Sequence, residues 1–531
     1  MEVHWLSVAA FVAIAVATVA VGLFATRIIR TTHDAYIASR AVGPVLNASA
    51  ISGEYLSAAS FLGVAGMVMR FGYDVLWYPV GYAAGYLLLL LFVAAPLRRF
   101  GAYTLPDFAE GRFDTPAMRR LAVLFVLLIG VFYMLPQMKG AGLAVQAIAG
   151  LPYWVGVVVV GAVIALNVAL GGMKGITFIQ AFQFWVKAFA ISLPAFVLLA
   201  IFGSYSAHWE QAISHPPPAL EVAIASGHAP GSTWGFPLGP LAEQQGHALL
   251  FTYSLIIATV FGTAGLPHIL VRFYTNRDGH AARQTTLVVL ALIGGFYLFP
   301  PILGLLGRVH APDLYVSDRT DALLLELPGR LPQPWLGELL RAVTAAGAFA
   351  AFMSTTSGLL VAVAGALAHD LYAQTFRPGA DQRERLLAFR LAALLAGGVA
   401  IVGGLQVERY HINMLVGWAF AISASAFFPL LVLGIWWRGL TAIGAAAGTV
   451  AGGTLASAAI LYTMATTTGA QPATLAATLL AQPAIWTIPV AFGTMVVVSL
   501  LTRERVPPDV NLKMLRLHAP EALGLRTSYL Q

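Results

Sequence analysis

A run of hydroxyl side chains interrupts an otherwise apolar segment between about residues 343 and 369. The run reads Ser354-Thr355-Thr356-Ser357 and directly follows Ala350-Ala351-Phe352-Met353. An apolar helix of this length crosses a bilayer. Polar groups near its centre are costly unless they face protein, water or an ion. The run therefore predicts an ion-binding site inside a membrane protein.

The composition also indicates a membrane protein. The chain has 531 residues, of which 59% are hydrophobic and 10% are charged, whereas soluble domains carry about 25% charged residues. The sequence contains no cysteine, which excludes disulfides, iron–sulfur clusters and cysteine-bound zinc. The net charge of +7 is explained by basic loops rather than by nucleic-acid binding. No cluster of histidine and acidic residues within the apolar segments indicates an enzyme.

Thirteen apolar segments are candidates for membrane helices. They cover about residues 5–26, 44–69, 74–96, 119–149, 151–171, 175–203, 247–269, 284–308, 337–369, 386–404, 411–436, 441–463 and 482–501. Alternate connections are basic, which by the positive-inside rule places the N-terminus outside and the C-terminus in the cytoplasm. We expect one transmembrane domain over residues 1–501, an exposed outer loop at 203–246, and a cytoplasmic tail over residues 502–531.

Two of these segments contain residues that interrupt helices. The second segment has Gly53 beside Glu54, a poor helix interior, and the seventh contains Gly262, Gly265 and Pro267, which free backbone groups. Each segment opens a block of five, so the blocks at about 44–203 and 247–436 would have opposite topology. Interrupted helices at matching places in inverted repeats indicate a transporter with its site near the midplane. Alternatively, these residues only permit close helix packing.

At this point several motifs resemble the sodium:solute symporter family, and within it the cation–acetate (monocarboxylate) symporters. The motifs are Gly53-Glu54-Tyr55-Leu56-Ser57-Ala58-Ala59-Ser60-Phe61-Leu62-Gly63, Gly171-Gly172-Met173-Lys174-Gly175-Ile176-Thr177, Gly262-Thr263-Ala264-Gly265-Leu266-Pro267-His268-Ile269-Leu270-Val271-Arg272-Phe273, Ala351-Phe352-Met353-Ser354-Thr355 and Ala419-Phe420-Ala421-Ile422-Ser423-Ala424-Ser425. The resemblance implies an all-α polytopic membrane protein with about 13 transmembrane helices. Its fold would be of the leucine-transporter type, a five-plus-five inverted repeat with one extra helix before it and two after.

The resemblance also implies a sodium site between the second and ninth segments. Its ligands would be the carbonyl oxygens of Gly53, Leu56 and Ala351 and the hydroxyls of Ser354 and Thr355. Sodium is a hard cation, and freed carbonyls with hydroxyls supply oxygens without a full countercharge. Alternatively, the two hydroxyls bond carbonyls one turn earlier in their own helix. Na+ would be the coupling ion, with no other cofactor.

Three residues in the first repeat are candidates for coupling or charge roles. Gln180 stands where some relatives have an aspartate that supports a second sodium. It shares one helix face with Gln183 and Lys187, and Lys187 could replace a cation, attract a substrate anion, or only pair with carbonyls or with Glu54. Glu54 stands where acetate symporters commonly have aspartate, and it could serve as a proton site or as a charge near the sodium.

The expected substrate is a small monocarboxylate such as acetate, taken up across a bacterial plasma (inner) membrane. Half-helix N-termini at the two breaks would direct positive dipole ends toward its carboxylate. Phe427 replaces an asparagine that is common in acetate symporters, which would suit a larger or more apolar acid. Lactate, pyruvate, propionate or an amino acid, proton coupling, and an ion channel are alternatives, and the oligomeric state is left open. The residues predicted from position to line the substrate site are Ser57, Phe61, Gln137, Phe261, Gly262 and Thr263.

Overall fold

The computed structural model describes residues 3–26, 42–236, 247–466, 474–520 and 523, which form helices and turns without a β-strand. The first part contains α1 (Trp5–Thr26), α2 (Pro44–Tyr55), a π-helical turn (Ala59–Gly63), α3 (Val64–Phe71), α4 (Trp77–Leu88), a second π-helical turn (Leu89–Val93), α5 (Ala94–Phe100), α6 (Leu105–Phe113), α7 (Pro116–Ala149), α8 (Tyr153–Phe202), α9 (Tyr205–Ile213) and α10 (Pro218–Ala225). The second part contains α11 (Ala248–Gly265), α12 (Pro267–Tyr274), α13 (Gly279–Phe296), α14 (Phe299–His310), α15 (Asp313–Val316), α16 (Leu323–Glu326), α17 (Pro334–Gly365), a π-helical extension (Ala366–Phe376), α18 (Gln382–Gly404), α19 (Ile412–Trp436), α20 (Ala442–Thr466), α21 (Leu475–Ala481), α22 (Ala484–Leu501) and α23 (Val510–His518).

Eleven helical segments in the described ranges are long and apolar enough to cross a membrane, and Trp5–Ala20 in α1 adds a shorter apolar stretch. The structure divides the predicted segments 44–69 and 74–96 differently from the sequence. α2 is a short half-helix, and one apolar helical stretch then runs from Ala59 to Phe100. The all-helical, multi-spanning class predicted from composition is confirmed.

The sequence predicts two segments at 151–171 and 175–203, whereas the structure has a single helix, α8. Its parts Tyr153–Leu170 and Gly175–Phe202 are each long enough to cross a membrane. The predicted connection between the two segments contains Lys174, whose side chain lies outside the described residues. The first of the basic connections contains Arg27, Arg30 and Arg40, which also lie outside the described residues.

The first predicted helix break lies at Leu56. α2 ends at Tyr55, and Leu56 leaves helical geometry with φ −72° and ψ 84°. The amide of Ala58, where the helix resumes, donates to Oε1 of Gln137 at 2.9 Å. A side chain from another helix thus satisfies an amide that the break leaves without a helical partner.

Gly53 lies one turn before this break and is itself helical. A Cβ atom at this position would overlap the carbonyl oxygen of Gln180 in α8. The glycine therefore allows α2 and α8 to approach closely. Gly53 thus permits close helix packing, which was the alternative interpretation of these residues. The helix itself is interrupted just after it, at Leu56.

The second break lies between α11 and α12, as predicted. Leu266 takes an extended conformation with φ −66° and ψ 117°, and Pro267 opens the next helix. Proline lacks an amide hydrogen and fits the first turn of a helix, where that hydrogen would have no helical partner. The Gly265-Leu266-Pro267 sequence therefore ends one half-helix and starts another.

The 203–246 connection is more ordered than an exposed loop. It contains α9 and α10, and its residues 237–246 lie outside the described part. The indole of Trp234 is fully buried and donates to the carbonyl oxygens of Val68 and Met69 at 2.9 and 2.8 Å. These bonds fix the connection onto the C-terminal end of α3.

Helix α17 lies in the interior of the bundle. It packs against α8, α1 and α7, and its residues from Gly347 to Gly365 are all buried. A helix buried on every side places its hydroxyl run against protein rather than lipid, as the cost of polar groups in a membrane requires.

Candidate cation and substrate site

The hydroxyl run of α17 faces the broken end of α2. The hydroxyl of Ser354 donates to the carbonyl oxygen of Gly53 at 2.7 Å, and the hydroxyl of Thr355 donates to the carbonyl oxygen of Glu54. Ser354 also lies 3.0 Å from the carbonyl oxygen of Ala351, one turn earlier. We call this contact between α2 and α17 the seam. It brings together residues far apart in sequence, as the predicted ion site requires.

The ammonium group of Lys187 lies in the seam. Its Nζ atom donates to the carbonyl oxygens of Gly53 and Leu56, the latter at 2.6 Å, and to the hydroxyl of Ser354 at 3.0 Å. The side chain is fully buried. Three of the five residues predicted to bind sodium therefore contact a cation that belongs to the protein.

Gln180, one of the coupling candidates, joins α17 to a second cation. Its Nε2 atom donates to the carbonyl oxygen of Ser354 at 2.7 Å, and its Oε1 atom accepts from the guanidinium of Arg272 in α12. Arg272 also donates from Nη1 to Thr177 at 2.8 Å. Gln180 is thus held by an arginine on one side and by the backbone of α17 on the other.

Glu54 is paired with the same arginine. Nε of Arg272 donates to Oε2 of Glu54 at 2.7 Å, and both side chains are almost completely buried. Within the described residues, the other oxygen, Oε1, has no hydrogen-bond partner and faces Gly358, where a Cβ atom would overlap it. Glu54 therefore balances the charge of Arg272, while Lys187 has no carboxylate within 4 Å in the described part of the chain.

Four of the predicted substrate residues lie beside the break. Ser57 is buried next to it, and Gln137 binds the amide of Ala58. The hydroxyls of Thr263 and Tyr55 are 2.7 Å apart, so the two broken helices meet there. Gly262 lies against Phe420 of α19, where a Cβ atom would be 2.5 Å from a carbonyl oxygen.

The other predicted substrate residues have different surroundings. The ring of Phe61 is fully buried between Gly347 and Phe296. Phe261 is half-buried, and its ring stacks on Phe428 with centroids 4.3 Å apart. Phe428 in turn contacts Phe492 of α22, so Phe261 belongs to an aromatic contact that reaches α22.

Phe427 packs against another helix of the bundle. Its ring is buried against Phe125 of α7, with centroids 6.4 Å apart. This contact packs α19 against α7, and the expectation that this phenylalanine alters the central site stays a prediction.

An aromatic group surrounds the break, and sequence reasoning gave it no role. Tyr55 contacts Tyr82 and Tyr86 with centroids 5.5 and 4.8 Å apart, and Phe420 contacts Tyr82 and Tyr133 at 5.1 and 5.5 Å. We call these five residues the aromatic cluster. The four tyrosines lie in three different helices, so no single periodic pattern joins them, although Tyr55 and Phe420 both lie in the quoted motifs.

A charged cluster lies at the end of the bundle that is predicted to be cytoplasmic. Nη1 of Arg119 bridges Asp107 and Asp370, at 2.6 Å from each. Burial alone would raise the pKa of Asp107, but His369 and Arg119 outweigh burial and hold that pKa below its usual range. Asp107, His369 and Asp370 are close enough to bind a metal ion, but the guanidinium already supplies the positive charge between the carboxylates.

A second charged cluster lies toward the opposite end. Lys139 of α7 pairs with Asp321 at 3.4 Å and donates to the carbonyl oxygen of Tyr410. Lys139, Asp321 and His411 line part of a cavity of about 410 Å³. Charged contacts between separate segments thus lie on both sides of the seam.

These broken helices and the site between them define a membrane transporter. A sequence profile of the sodium:solute symporter family matches residues 35–452. YwcA, an uncharacterized symporter of Bacillus subtilis (strain 168), is 33% identical over 458 residues, which cover 86% of this chain and 85% of that protein. The chain belongs to the sodium:solute symporter family.

Solved structures of other transporters share the fold at low sequence identity. A Na+-coupled sialic acid symporter in a substrate-bound, outward-open state gives a TM-score of 0.68 at 13% identity, covering 93% of this chain and 98% of that chain. The manganese transporter of Eremococcus coleocola gives a TM-score of 0.52 at 16% identity, covering 88% and 95%. These similarities confirm the predicted leucine-transporter type of fold.

Proposed function

We propose that the protein is a secondary active symporter that carries a small monocarboxylate together with a cation by alternating access. The seam supports this proposal, because Ser354 and Thr355 of α17 bond the freed carbonyls of Gly53 and Glu54. A cation bound in the seam attracts oxygens from both α2 and α17. Its binding can therefore favour the state in which the two helices are in contact, and its release can favour the state in which they separate. Na+ is the coupling ion that the family indicates. The proposed cation site consists of Gly53, Leu56, Ala351, Ser354 and Thr355.

The charge of the site favours an anionic substrate. Lys187 and Arg272 bring two positive groups, and Glu54 brings one negative group. A buried site with excess positive charge attracts anions and disfavours cations. An amino acid would add an ammonium group of its own, so this class is less well matched than a simple carboxylate.

The surroundings of the break favour a small, partly apolar molecule. Ser57, Gln137 and the Tyr55–Thr263 pair offer polar groups within a short distance of the break, and the aromatic cluster supplies apolar walls. A few convergent polar groups within an apolar enclosure are typical of small-molecule sites. Acetate, propionate, lactate and pyruvate all fit this description, and acetate is our first candidate because of the motifs that the chain shares with acetate symporters.

The expected stoichiometry limits the accumulation that the protein can achieve. One monovalent cation carried with one monocarboxylate moves no net charge, so the membrane potential adds nothing. A tenfold cation gradient supplies about 1.4 kcal/mol, which supports about tenfold accumulation. We propose that the protein uses such a gradient in a bacterial inner membrane, with its N-terminus outside.

Exchange of labelled acetate in proteoliposomes tests this function without any ion gradient. Vesicles loaded with unlabelled acetate should take up external labelled acetate faster than unloaded vesicles. External propionate, lactate and pyruvate should compete, whereas an amino acid such as proline should not. Protein-free liposomes give the passive entry of the undissociated acid, which is subtracted.

Absence of this exchange, or competition by amino acids alone, would contradict the proposed substrate class. An ion channel is the second functional class to consider. Discrete single-channel currents in planar bilayers would favour it, whereas the proposed symporter shows saturable exchange and no such currents.

A further inference from the structure

A cavity lies where two membrane-spanning helices end next to each other. α19 ends at Trp436 and α22 ends at Leu501, and both helices are long and apolar enough to cross a bilayer. The cavity between their ends has a volume of about 530 Å³ and is lined in part by Trp436, Arg438, Leu500 and Arg503. This volume lies within the range of about 300–1,000 Å³ that is typical of small-molecule sites.

The charge that this cavity presents is positive. Arg438 and Arg503 both line it, and none of the described residues that line it is acidic. Both arginines are exposed, and the ion pairs found among the described residues include neither of them. Guanidinium groups without a counter-charge from the protein attract an anion, and their planar sets of donors match the oxygens of a phosphate group.

The backbone at the end of α19 does not need the charge of Arg438. A basic side chain near a helix C-terminus commonly binds the last carbonyl oxygens of that helix. Here the buried Arg112 of α6 donates to the carbonyl oxygen of Trp437 at 3.2 Å. Nε2 of His518 donates to the carbonyl oxygen of Ile435 at 2.9 Å. The guanidinium of Arg438 can therefore bind a group from outside the protein.

Apolar walls of the cavity are open to the lipid. Leu500 is 59% exposed, and Val497, one turn earlier in α22, is 56% exposed. The same outer face of the helix continues to the exposed Val490, so an apolar strip leads from the cavity into the depth of the membrane. Trp436 forms another wall and is held there because its indole donates to the carbonyl oxygen of Phe92 at 3.0 Å. Tryptophan is enriched at the level of the lipid headgroups.

We propose that this cavity binds an anionic phospholipid, with the phosphate between Arg438 and Arg503 and an acyl chain along the exposed face of α22. Basic pockets between transmembrane helices bind the headgroups of anionic lipids. A zwitterionic lipid would bring an ammonium group next to the two guanidinium groups and is therefore disfavoured. Free phosphate would lack the contact with α22. The site is separate from the seam, and its occupant is a lipid of net negative charge such as phosphatidylglycerol.

Titration of lipid into the purified protein in detergent tests the proposal, because a ligand that binds the folded state raises the melting temperature. The probes are phosphatidylglycerol, phosphatidylethanolamine with the same acyl chains, and inorganic phosphate. Each arginine at a membrane surface should strengthen the binding of an anionic lipid about fivefold. Phosphatidylglycerol should therefore give half of its maximal shift at about one-thirtieth of the amount of phosphatidylethanolamine, and inorganic phosphate should give no shift.

Two double variants with the same change in charge locate the effect. Arg438→Gln with Arg503→Gln should raise the required amount of phosphatidylglycerol about thirtyfold, because both charges of the cavity are lost. Arg383→Gln with Arg505→Gln removes two arginines outside the cavity and should leave that amount unchanged. All four arginines are exposed, so both variants should fold and should melt like the native protein when no lipid is added.

Four results would overturn the proposal. Equal requirements for the two lipids in the native protein would exclude a site that selects anionic lipid. An equal loss of selectivity in both double variants would show that the basic surface as a whole attracts the lipid. Unchanged selectivity after loss of Arg438 and Arg503 would place the lipid elsewhere. A shift with inorganic phosphate as large as that with phosphatidylglycerol would mean that the site binds a free anion and not a lipid.

Discussion

Nε of Arg272 donates to Oε2 of Glu54 across 2.7 Å, with both side chains buried in the centre of the bundle. These residues are 218 positions apart in the sequence, on two half-helices that each begin or end at a break. The pair links the two halves of the chain beside the proposed cation site and fixes the charge of the environment in which Lys187 lies.

Loss of one partner of this pair should be strongly destabilising. We expect Arg272→Met to cost about 3–5 kcal/mol, because it leaves Glu54 buried without its partner. The double change Glu54→Gln with Arg272→Met should recover most of that loss. Thermal unfolding in detergent measures both variants. Arg277→Met, which removes an exposed pair with Asp278, is the control and should change stability by about 0–1 kcal/mol. Additive losses in the double variant would contradict a coupled pair.

Gly53→Ala tests the close approach of α2 and α8. The added methyl group would overlap the carbonyl oxygen of Gln180, so the helices must separate and the seam must open. We expect reduced stability and loss of acetate exchange. Gly294→Ala is a matched control in α13, where a Cβ atom has nothing within 4 Å, and it should be neutral or stabilising by up to about 1 kcal/mol. Equal behaviour of the two variants would show that the helices are not in contact at Gly53.

Removing the seam hydroxyls should raise the cation concentration that half-maximal uptake needs. Ser354→Ala with Thr355→Ala removes an acceptor for the ammonium of Lys187 and two bonds between α17 and α2. The concentration of the coupling cation needed for half-maximal uptake should therefore rise.

The neighbouring hydroxyls provide the control for that experiment. Thr356 and Ser357 donate to carbonyl oxygens of Phe352 and Met353 in their own helix, at 2.6 and 2.8 Å. Thr356→Ala with Ser357→Ala should therefore leave the cation requirement unchanged. A similar shift in both double variants would mean that the effect arises from α17 as a whole and not from the seam.

Arg119→Gln should open the end of the bundle that is predicted to be cytoplasmic. Arg119 bridges Asp107 and Asp370, so its loss should favour separation of α6 from the π-helical extension that follows α17. The sequence has no cysteine, so thiol labelling of an introduced Val361→Cys reports access without background. We expect labelling at least about fivefold faster, corresponding to about 1 kcal/mol. Arg120→Gln, at an exposed neighbour, should not change the rate, and an unchanged rate in Arg119→Gln would argue against a closing role.

The contact between α2 and α17 could be predicted because each of the two helices carries a recognisable local sequence pattern. Hydroxyls in an apolar helix, and glycine beside a carboxylate, are recognisable within a few residues, and the family motifs linked them. The break could be placed only approximately, since Gly53 serves packing and the chain leaves helical geometry at Leu56.

The role of Arg272 could not be predicted in the same way. Its partners Glu54, Gln180 and Thr177 are 218, 92 and 95 positions away, and no periodic pattern reports such contacts. Lys187 was recognised as a possible cation, but its reach to the carbonyl of Leu56 depends on how closely α8 approaches α2. Packing of this kind is a tertiary property, and the same limit explains why the aromatic cluster was missed.

Sodium titration of thermal stability tests the central claim most directly, because a ligand that binds the folded state raises its melting temperature. Choline should replace sodium at constant ionic strength, and the native protein should be compared with Lys187→Ala. We predict that sodium leaves the melting temperature of the native protein unchanged, since the ammonium of Lys187 already occupies the site, and raises that of Lys187→Ala in a saturable manner. A saturable rise in the native protein would show that sodium binds while Lys187 is present and would contradict this account.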